Sequence, residues 1–414
     1  MRGRAGQGER TDLKIAHVIS GLAPEGGGLT VAVLEIARWQ CLLGHSCTIL
    51  TGDRNGPRLR PDEILHEAGG SILEFPTRGP QKARYMPDFR RYLEHNGRDF
   101  DLYVLHGSYQ YATYAAGRFC RIAGIPYVFM PHGSLDPAVR VKHPSRNRLI
   151  DFFYHDRVIR NASAWHFTSE EERAACERPI WSSSFVEPLA IDVERIPKVG
   201  PKGHFRKRYG IPEDAILLLF LSRITRKKGI DILLEAFRRL ASGPANVFLA
   251  LCGPIDEDMR GLIDAALHDR DLGSRLAATG LLLGDDKNAA FFDSNYFVLP
   301  TYSENFGIAA FEALAYGVPL ITTTGMNLHA ELSRSGRAKI VEPNADALYR
   351  GLLEVVNRTW RPSATPDEAR AWLESNFSWR VRADSIARRY QQVLRGVRQG
   401  ADPSDSPPGI RPIE

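Results

Sequence analysis

Two glutamates bracket the stretch Glu304-Asn305-Phe306-Gly307-Ile308-Ala309-Ala310-Phe311-Glu312. Gly307 is placed to open a helix, whose free N–H groups and positive dipole end suit a phosphate. Glu304 precedes that helix and Glu312 lies inside it. At a rise of about 1.5 Å per residue the two carboxylates stand on the order of 12 Å apart. An elongated anion with hydroxyls at both ends, such as a nucleotide diphosphate sugar, spans that distance. One carboxylate reaches the sugar hydroxyls and the other a ribose diol. Spaced glutamates alone more often describe a solvated helix. The apolar run ending at Pro300 and the Phe306-Gly307 turn favour the ligand reading.

A second group is Ser222-Arg223-Ile224-Thr225-Arg226-Lys227-Lys228-Gly229. A strand ends at Ser222 and a helix begins near Gly229, so Arg223 and Lys228 project from a loop between them. Arg offers a fixed fork and Lys a point charge, a pair suited to a departing diphosphate. Elsewhere such a charge run is usually solvated surface. Further polar groups follow other predicted strands: Gly26-Gly27-Gly28, His106-Gly107, His132-Gly133 and Gly253-Pro254. In open α/β sheets ligands bind beyond the carboxyl ends of strands. Cations, histidines, glycines and carboxylates gathered at that edge predict a cleft for an anionic, hydroxyl-rich ligand. Taken alone, the glycine loop also fits a tight turn, and His106 the cap of a strand end.

The elements that must position these groups alternate regularly. Leu13 to Ile19 is a strand, Thr30 to Leu43 an amphipathic helix and Ser46 to Thr51 a strand, which together make a βαβ unit. The alternation continues with strand Leu102 to Leu105, helix Tyr111 to Ala123, and strands Tyr127 to Met130 and Ala164 to Thr168. Pro197 to Gly203 is expected to be a linker. The pattern then restarts with strands Ala215 to Ser222, Val247 to Cys252, Tyr296 to Pro300 and Pro319 to Thr323. Helices Gly229 to Ala241, Asp256 to His268 and Phe306 to Ala315 stand between them. The expected fold is α/β, two Rossmann-like doubly wound domains facing a cleft. Residues 13–197 form the first domain and 204–376 the second. A last helix at 377–398 packs back on the first domain, with 1–12 and 399–414 disordered.

The chain has 414 residues, 43% hydrophobic and 25% charged, long enough for two cores. The net charge of +5 is too modest to indicate nucleic acid. The five cysteines Cys41, Cys47, Cys120, Cys176 and Cys252 are scattered, which predicts free thiols and a reducing cytoplasm. No apolar run approaches the roughly 20 residues of a membrane span, and the polar first residues predict no secretory signal. No His, Cys or carboxylate spacing suggests a metal site, and no cofactor is expected. Basic and aromatic residues interleave between Arg140 and Trp165. That pattern fits an amphipathic surface, with peripheral contact to anionic membrane as the alternative.

The segment Arg223 to Gly229, with Gly253-Pro254, Gly280, Pro300 to Glu312 and Glu331-Leu332, resembles the donor half of the retaining GT-B glycosyltransferases of family 4. Gly26 to Gly28, His106-Gly107 and Pro131-His132-Gly133-Ser134-Leu135-Asp136-Pro137 resemble its acceptor half, so the likeness runs from about Leu13 to Arg398. It implies a metal-independent transferase moving a sugar from a UDP- or GDP-sugar to a glycan or lipid-linked acceptor in cell-envelope or exopolysaccharide synthesis. Glu312 would hold the ribose, Glu304 the donor sugar, and Arg223 with Lys228 the diphosphate. His132 would stand near the reacting carbon. Asn305, Phe306, Gly307, Gly27, Gly28, Gly253 and Gly280 would line the donor, and His106 and Asp136 the acceptor side. Thr324-Gly325-Met326-Asn327-Leu328 departs from a Gly-Gly pair common in the family. A sugar-nucleotide 2-epimerase shares two such domains but lacks the Glu304 to Glu312 arrangement in this form. A non-catalytic sugar-nucleotide-binding protein is the other alternative, which the presence of all the expected site residues does not favour.

Overall fold

The computed structural model describes residues 12–22, 28–52, 61–78, 84–135, 158–176, 180 and 182–399. The chain divides into two compact units, 1–187 with 382–414, and 188–381.

In the first unit the strands are β1 (Lys14–Ile19), β2 (Ser46–Gly52), β3 (Ser71–Phe75), β4 (Leu102–His106), β5 (Tyr127–Met130), β6 (Ala164–Phe167) and β7 (Ser183–Val186). They form one sheet in the order β3-β2-β1-β4-β5-β6-β7, with every pairing parallel. Parallel strands are covered on both faces, and β1 and β4 are accordingly near-continuous apolar runs. Its helices among the described residues include α1 (Gly28–Leu42), α2 (Pro61–Glu67), α3 (Pro87–Asn96), α4 (Tyr111–Ala123) and α5 (Glu170–Ala174). Helix α4 stops at Gly124, whose left-handed backbone sends its N–H back to the Cys120 carbonyl. Trp165, Phe129, Phe167 and Tyr103 fill the core, with Trp165 edge-on to Phe129.

The second unit repeats the plan. Its strands are β8 (Ile216–Leu221), β9 (Val247–Cys252), β10 (Leu276–Gly280), β11 (Tyr296–Leu299), β12 (Leu320–Thr323) and β13 (Ala338–Val341). The order β10-β9-β8-β11-β12-β13 is again wholly parallel. Its helices include α6 (His204–Arg208), α7 (Ile230–Ala241), α8 (Glu257–Leu267), α9 (Gly284–Asp293) and α10 (Ile308–Ala315). After them come α11 (His329–Arg334), α12 (Ala345–Val356) and α13 (Pro366–Asn376). In both sheets the order reverses beside the first strand, at β1/β4 and at β8/β11, which is where such sheets take ligands.

One expectation needs correction. The stretch Pro197 to Gly203 is not the boundary: the units part at Glu187/Pro188. The second unit holds residues 188–203 by polar contacts. Arg370 donates to the Val193 and Ile196 carbonyls, and Asp293 accepts from the N–H of Gly203. The final helix, α14 (Trp379–Gln399), belongs to the first unit from Arg382 onward, where Ile386, Tyr390 and Leu394 are buried. Residues 1–11, 400–414 and most of the basic-aromatic stretch lie outside the described residues.

Candidate active site

The second unit gathers its polar groups where β8, β9, β10 and β11 end. Beyond β8, Arg223 is exposed and makes no ion pair among the described residues. Gly253, after β9, has a φ of +146°, and a Cβ there would stand 2.0 Å from the Ser222 carbonyl oxygen. Only glycine permits that crossing. The Gly253 N–H donates to the Gly280 carbonyl at 2.8 Å, and the Ile224 N–H to that of Pro254 at 2.8 Å. The ends of β8, β9 and β10 are thereby laced together, bringing Arg223, Gly253 and Gly280 into one neighbourhood. Gly280 itself has φ +73° and open space where a side chain would be.

Lys228 closes a short 3-10 turn, Arg226–Lys228, before α7. The main-chain carbonyl of Lys227 accepts from the Tyr302 N–H at 2.9 Å and from Thr301 Oγ1 at 3.0 Å. This ties the turn to the segment after β11. The result is an ion pair between Lys228 Nζ and the Glu304 carboxylate, both largely buried. Burial, with Lys227 and Arg223 as like-charged neighbours, pushes the Lys228 ammonium down to about 7. Glu304 is held as well. Its N–H donates to the Gly325 carbonyl at 2.8 Å, and its carbonyl accepts from the Asn327 N–H at 2.9 Å. The segment 325–327 that departs from the family pattern is therefore the strip that carries Glu304.

Gly307 caps α10 at φ +73°, with buried Met326 against it: an added Cβ would meet the Met326 methyl carbon at 2.5 Å. The Phe306 ring is buried and stacks on Phe311, with centroids 4.4 Å apart. It serves the core and leaves only its backbone for a ligand. Asn305 accepts from Asn327 Nδ2 at 3.3 Å. Glu312, in the second turn of α10, pairs with Lys287 Nζ of α9 at 2.7 Å. Lys287 was missed in the sequence because it sits in Gly284-Asp285-Asp286-Lys287-Asn288, which reads as a polar turn. The two glutamates thus meet two different lysines.

In the first unit, His106 and His132 leave the ends of β4 and β5 and belong to a row of three histidines. His17 Nδ1 lies 2.9 Å from His106 Nε2, and His106 Nδ1 lies 2.9 Å from His132 Nε2. His106 is wholly buried and engaged at both ring nitrogens, so it cannot touch an acceptor. Its assignment to the acceptor side is corrected. His132 is only partly buried and has a φ of +53°, uncommon for a residue with a side chain. The turn is pinned by Glu172 of α5, whose carboxylate accepts from the N–H of Gly133 at 2.5 Å and of Thr168 at 2.7 Å. Ser169-Glu170-Glu171-Glu172 has capping-box spacing, the one sequence signal that pointed to Glu172. Gly28 opens α1. Gly27 and Asp136 lie outside the described residues. Among the described residues no group of three or more His, Cys, Asp or Glu is arranged to hold a metal ion, and no helix is long and apolar enough to cross a membrane.

Comparison with known proteins identifies the family and the fold. Residues 201–372 match the family described as Glycosyl transferases group 1, and residues 27–181 match the Glycosyl transferase 4-like domain. The D-inositol 3-phosphate glycosyltransferase 1 of Catenulispora acidiphila is 25% identical over 96% of this chain and 99% of its own length. The putative teichuronic acid biosynthesis glycosyltransferase TuaC of Bacillus subtilis is 26% identical over 68% of each chain. Among solved structures, Anabaena HepE in complex with UDP-glucose superposes with a TM-score of 0.74 at 17% identity, covering 92% of this chain and 100% of that one. With both halves of its sequence matched and both sheets in place, the chain belongs to the group 1 glycosyltransferases of the family 4 type and has their GT-B fold.

Proposed function

We propose that this transferase moves a sugar from a nucleotide-diphosphate donor, a UDP- or GDP-sugar, to a glycan or lipid-linked acceptor with retention at the anomeric carbon. The observation that carries the reading is the convergence of Arg223, Lys228 and Glu304 at the ends of β8 and β11, with the Glu312–Lys287 pair on α10 and α9. Arg223 and Lys228 supply charge for a departing diphosphate, Glu304 accepts from sugar hydroxyls, and Glu312 accepts from the ribose. The solved HepE complexes with UDP and with UDP-glucose support a donor of this class.

In the step proposed, the bond from the anomeric carbon to the phosphate oxygen breaks and that carbon bonds to the acceptor oxygen on the same face. The acceptor proton passes to the departing phosphate. No protein nucleophile is needed, so the residues act by placement and by stabilising charge. We propose that no metal takes part, and that the acceptor belongs to cell-envelope or exopolysaccharide synthesis.

Calorimetric titration with UDP, GDP and ADP identifies the base. Release of nucleoside diphosphate from the matching sugar donors, assayed with and without a mixture of glycan and lipid-linked acceptors, then tests transfer. Acceptor-dependent release that survives excess EDTA is expected. Absence of binding to every nucleotide removes the reading.

A further inference from the structure

The histidine row in the first unit continues inward to Gln40 of α1. Gln40 Oε1 lies 2.7 Å from His17 Nε2 and 3.4 Å from Cys47 Sγ. A neutral imidazole has one N–H and one lone pair, so the direction of one hydrogen bond fixes the next. Facing an amide oxygen, His17 donates from Nε2, which leaves its Nδ1 to accept from the Nε2–H of His106. By the same step His106 Nδ1 accepts from the Nε2–H of His132. The last nitrogen, His132 Nδ1, keeps its lone pair and makes no hydrogen bond among the described residues.

We infer that Gln40, His17 and His106 are positioning residues that lock His132 as the Nε2–H tautomer, so that its Nδ1 meets a ligand as the acceptor of a hydroxyl hydrogen bond. The lock is a property of the chain without ligand. Only the identity of the hydroxyl, on a donor or acceptor sugar, rests on the function proposed above.

Two observations support it. Adding a proton to His17 or His106 would set N–H against N–H within the row, and adding one to His132 would remove its free lone pair at Nδ1. Burial opposes that proton throughout, holding His17 at about 4, His132 at about 3 and His106 well below the usual range. The turn that aims His132 is also fixed from outside the row. The left-handed backbone at His132 and Gly133 is maintained by the Glu172 carboxylate on the Gly133 N–H.

The test is ¹⁵N NMR of the full chain labelled at the histidine rings, which reports the tautomer of each imidazole. His132→Gln assigns the signal of interest. At pH 7, His17, His106 and His132 are expected to carry hydrogen on Nε2 alone. In His17→Asn the amide oxygen stands near the position of Nδ1, and the His132 tautomer is expected to persist. In His17→Leu that acceptor is gone, and His132 is expected to become a mixture. Hydrogen on Nδ1 of His132 in the wild type overturns the inference. So does a single unchanged tautomer in His17→Leu. Should UDP-glucose and the other sugar nucleotides fail to bind the wild type while the tautomers stand as described, the proposed function falls and the lock survives.

Discussion

Lys228 stands among Arg223, Lys227 and Glu304, and its charge is the property most exposed to test. Its ammonium is pushed from the ordinary 10.5 down to about 7 by burial and by its two cationic neighbours. Above pH 7 the free protein therefore loses that charge progressively, whereas a bound diphosphate favours the charged form. Binding of the nucleoside diphosphate at pH 8 should take up a proton, seen as a dependence of calorimetric heat on the buffer's ionisation enthalpy. Affinity should weaken as pH rises through 7, by at most about tenfold per pH unit. Heats independent of buffer at pH 8 would show that Glu304 keeps Lys228 protonated throughout. Replacing Lys228 or Arg223 by methionine keeps much of the apolar stem and deletes the charge. Turnover in the release assay should fall by about two orders of magnitude with a smaller change in donor KM, because the contact strengthens as the leaving group gains charge. Arg226→Met, at an exposed neighbour in the same turn, serves as the control. Equal loss in all three variants would reduce the run to general surface charge.

At the scale of elements, the site depends on close crossings between chain segments. A methyl group at Gly253 would stand 2.0 Å from the Ser222 carbonyl oxygen, and the φ of +146° is itself unsuited to a side chain. Gly253→Ala should destabilise the second unit by about 2–4 kcal/mol, measured by denaturant unfolding, since main chain cannot yield as a side chain does. A cost under 0.5 kcal/mol would mean that the crossing is easily relaxed. The pair between α9 and α10 gives a second test. Glu312→Ala should weaken nucleotide binding by about tenfold to a hundredfold, the range for a hydrogen bond to a charged group. Lys287→Met should weaken it less, because it frees Glu312 to turn without removing it. The reverse order would make Lys287 the primary ligand. Glu304, Glu312, Arg223 and Lys228 were legible because they follow long apolar strands or open strongly patterned helices. Lys287 and Glu172 were not, since each lies in the polar opening turn of a helix, where its importance is set by what it faces. Strands β3, β7, β10 and β13 were also missed. Each is short, only partly buried and without a sustained apolar run, and only their parallel neighbours make strands of them.

For the whole molecule, the first unit is closed by residues from the far end of the sequence. Tyr390 of α14 is fully buried and lies edge-on to His166 and Phe185. His166 Nε2 is 2.8 Å from the Glu187 carbonyl, so that nitrogen carries the hydrogen and Nδ1 accepts from the Tyr390 hydroxyl at 3.2 Å. The Glu187 carboxylate is buried too, and accepts from Ser385 at 2.7 Å and Arg389 at 3.4 Å, both on α14. The apolar stripe of this helix could be read from its sequence, but the polar half of the contact could not. His166 and Glu187 are more than 190 positions before their partners Tyr390 and Ser385, too far apart for any local pattern. Removing the tyrosine ring leaves a cavity and an unmatched imidazole nitrogen. Tyr390→Ala should therefore cost about 3–5 kcal/mol, and Tyr390→Phe, which loses only the hydroxyl, about 1 kcal/mol. The damage should follow the contacts and not the order of the chain. Hydrogen exchange in Tyr390→Ala should accelerate in β6 and β7, Ala164–Phe167 and Ser183–Val186, and leave β8 to β13 nearly as protected as before. Those six strands lie closer to Tyr390 in sequence than β6 and β7 do, so equal acceleration there would show that α14 stabilises the second unit instead.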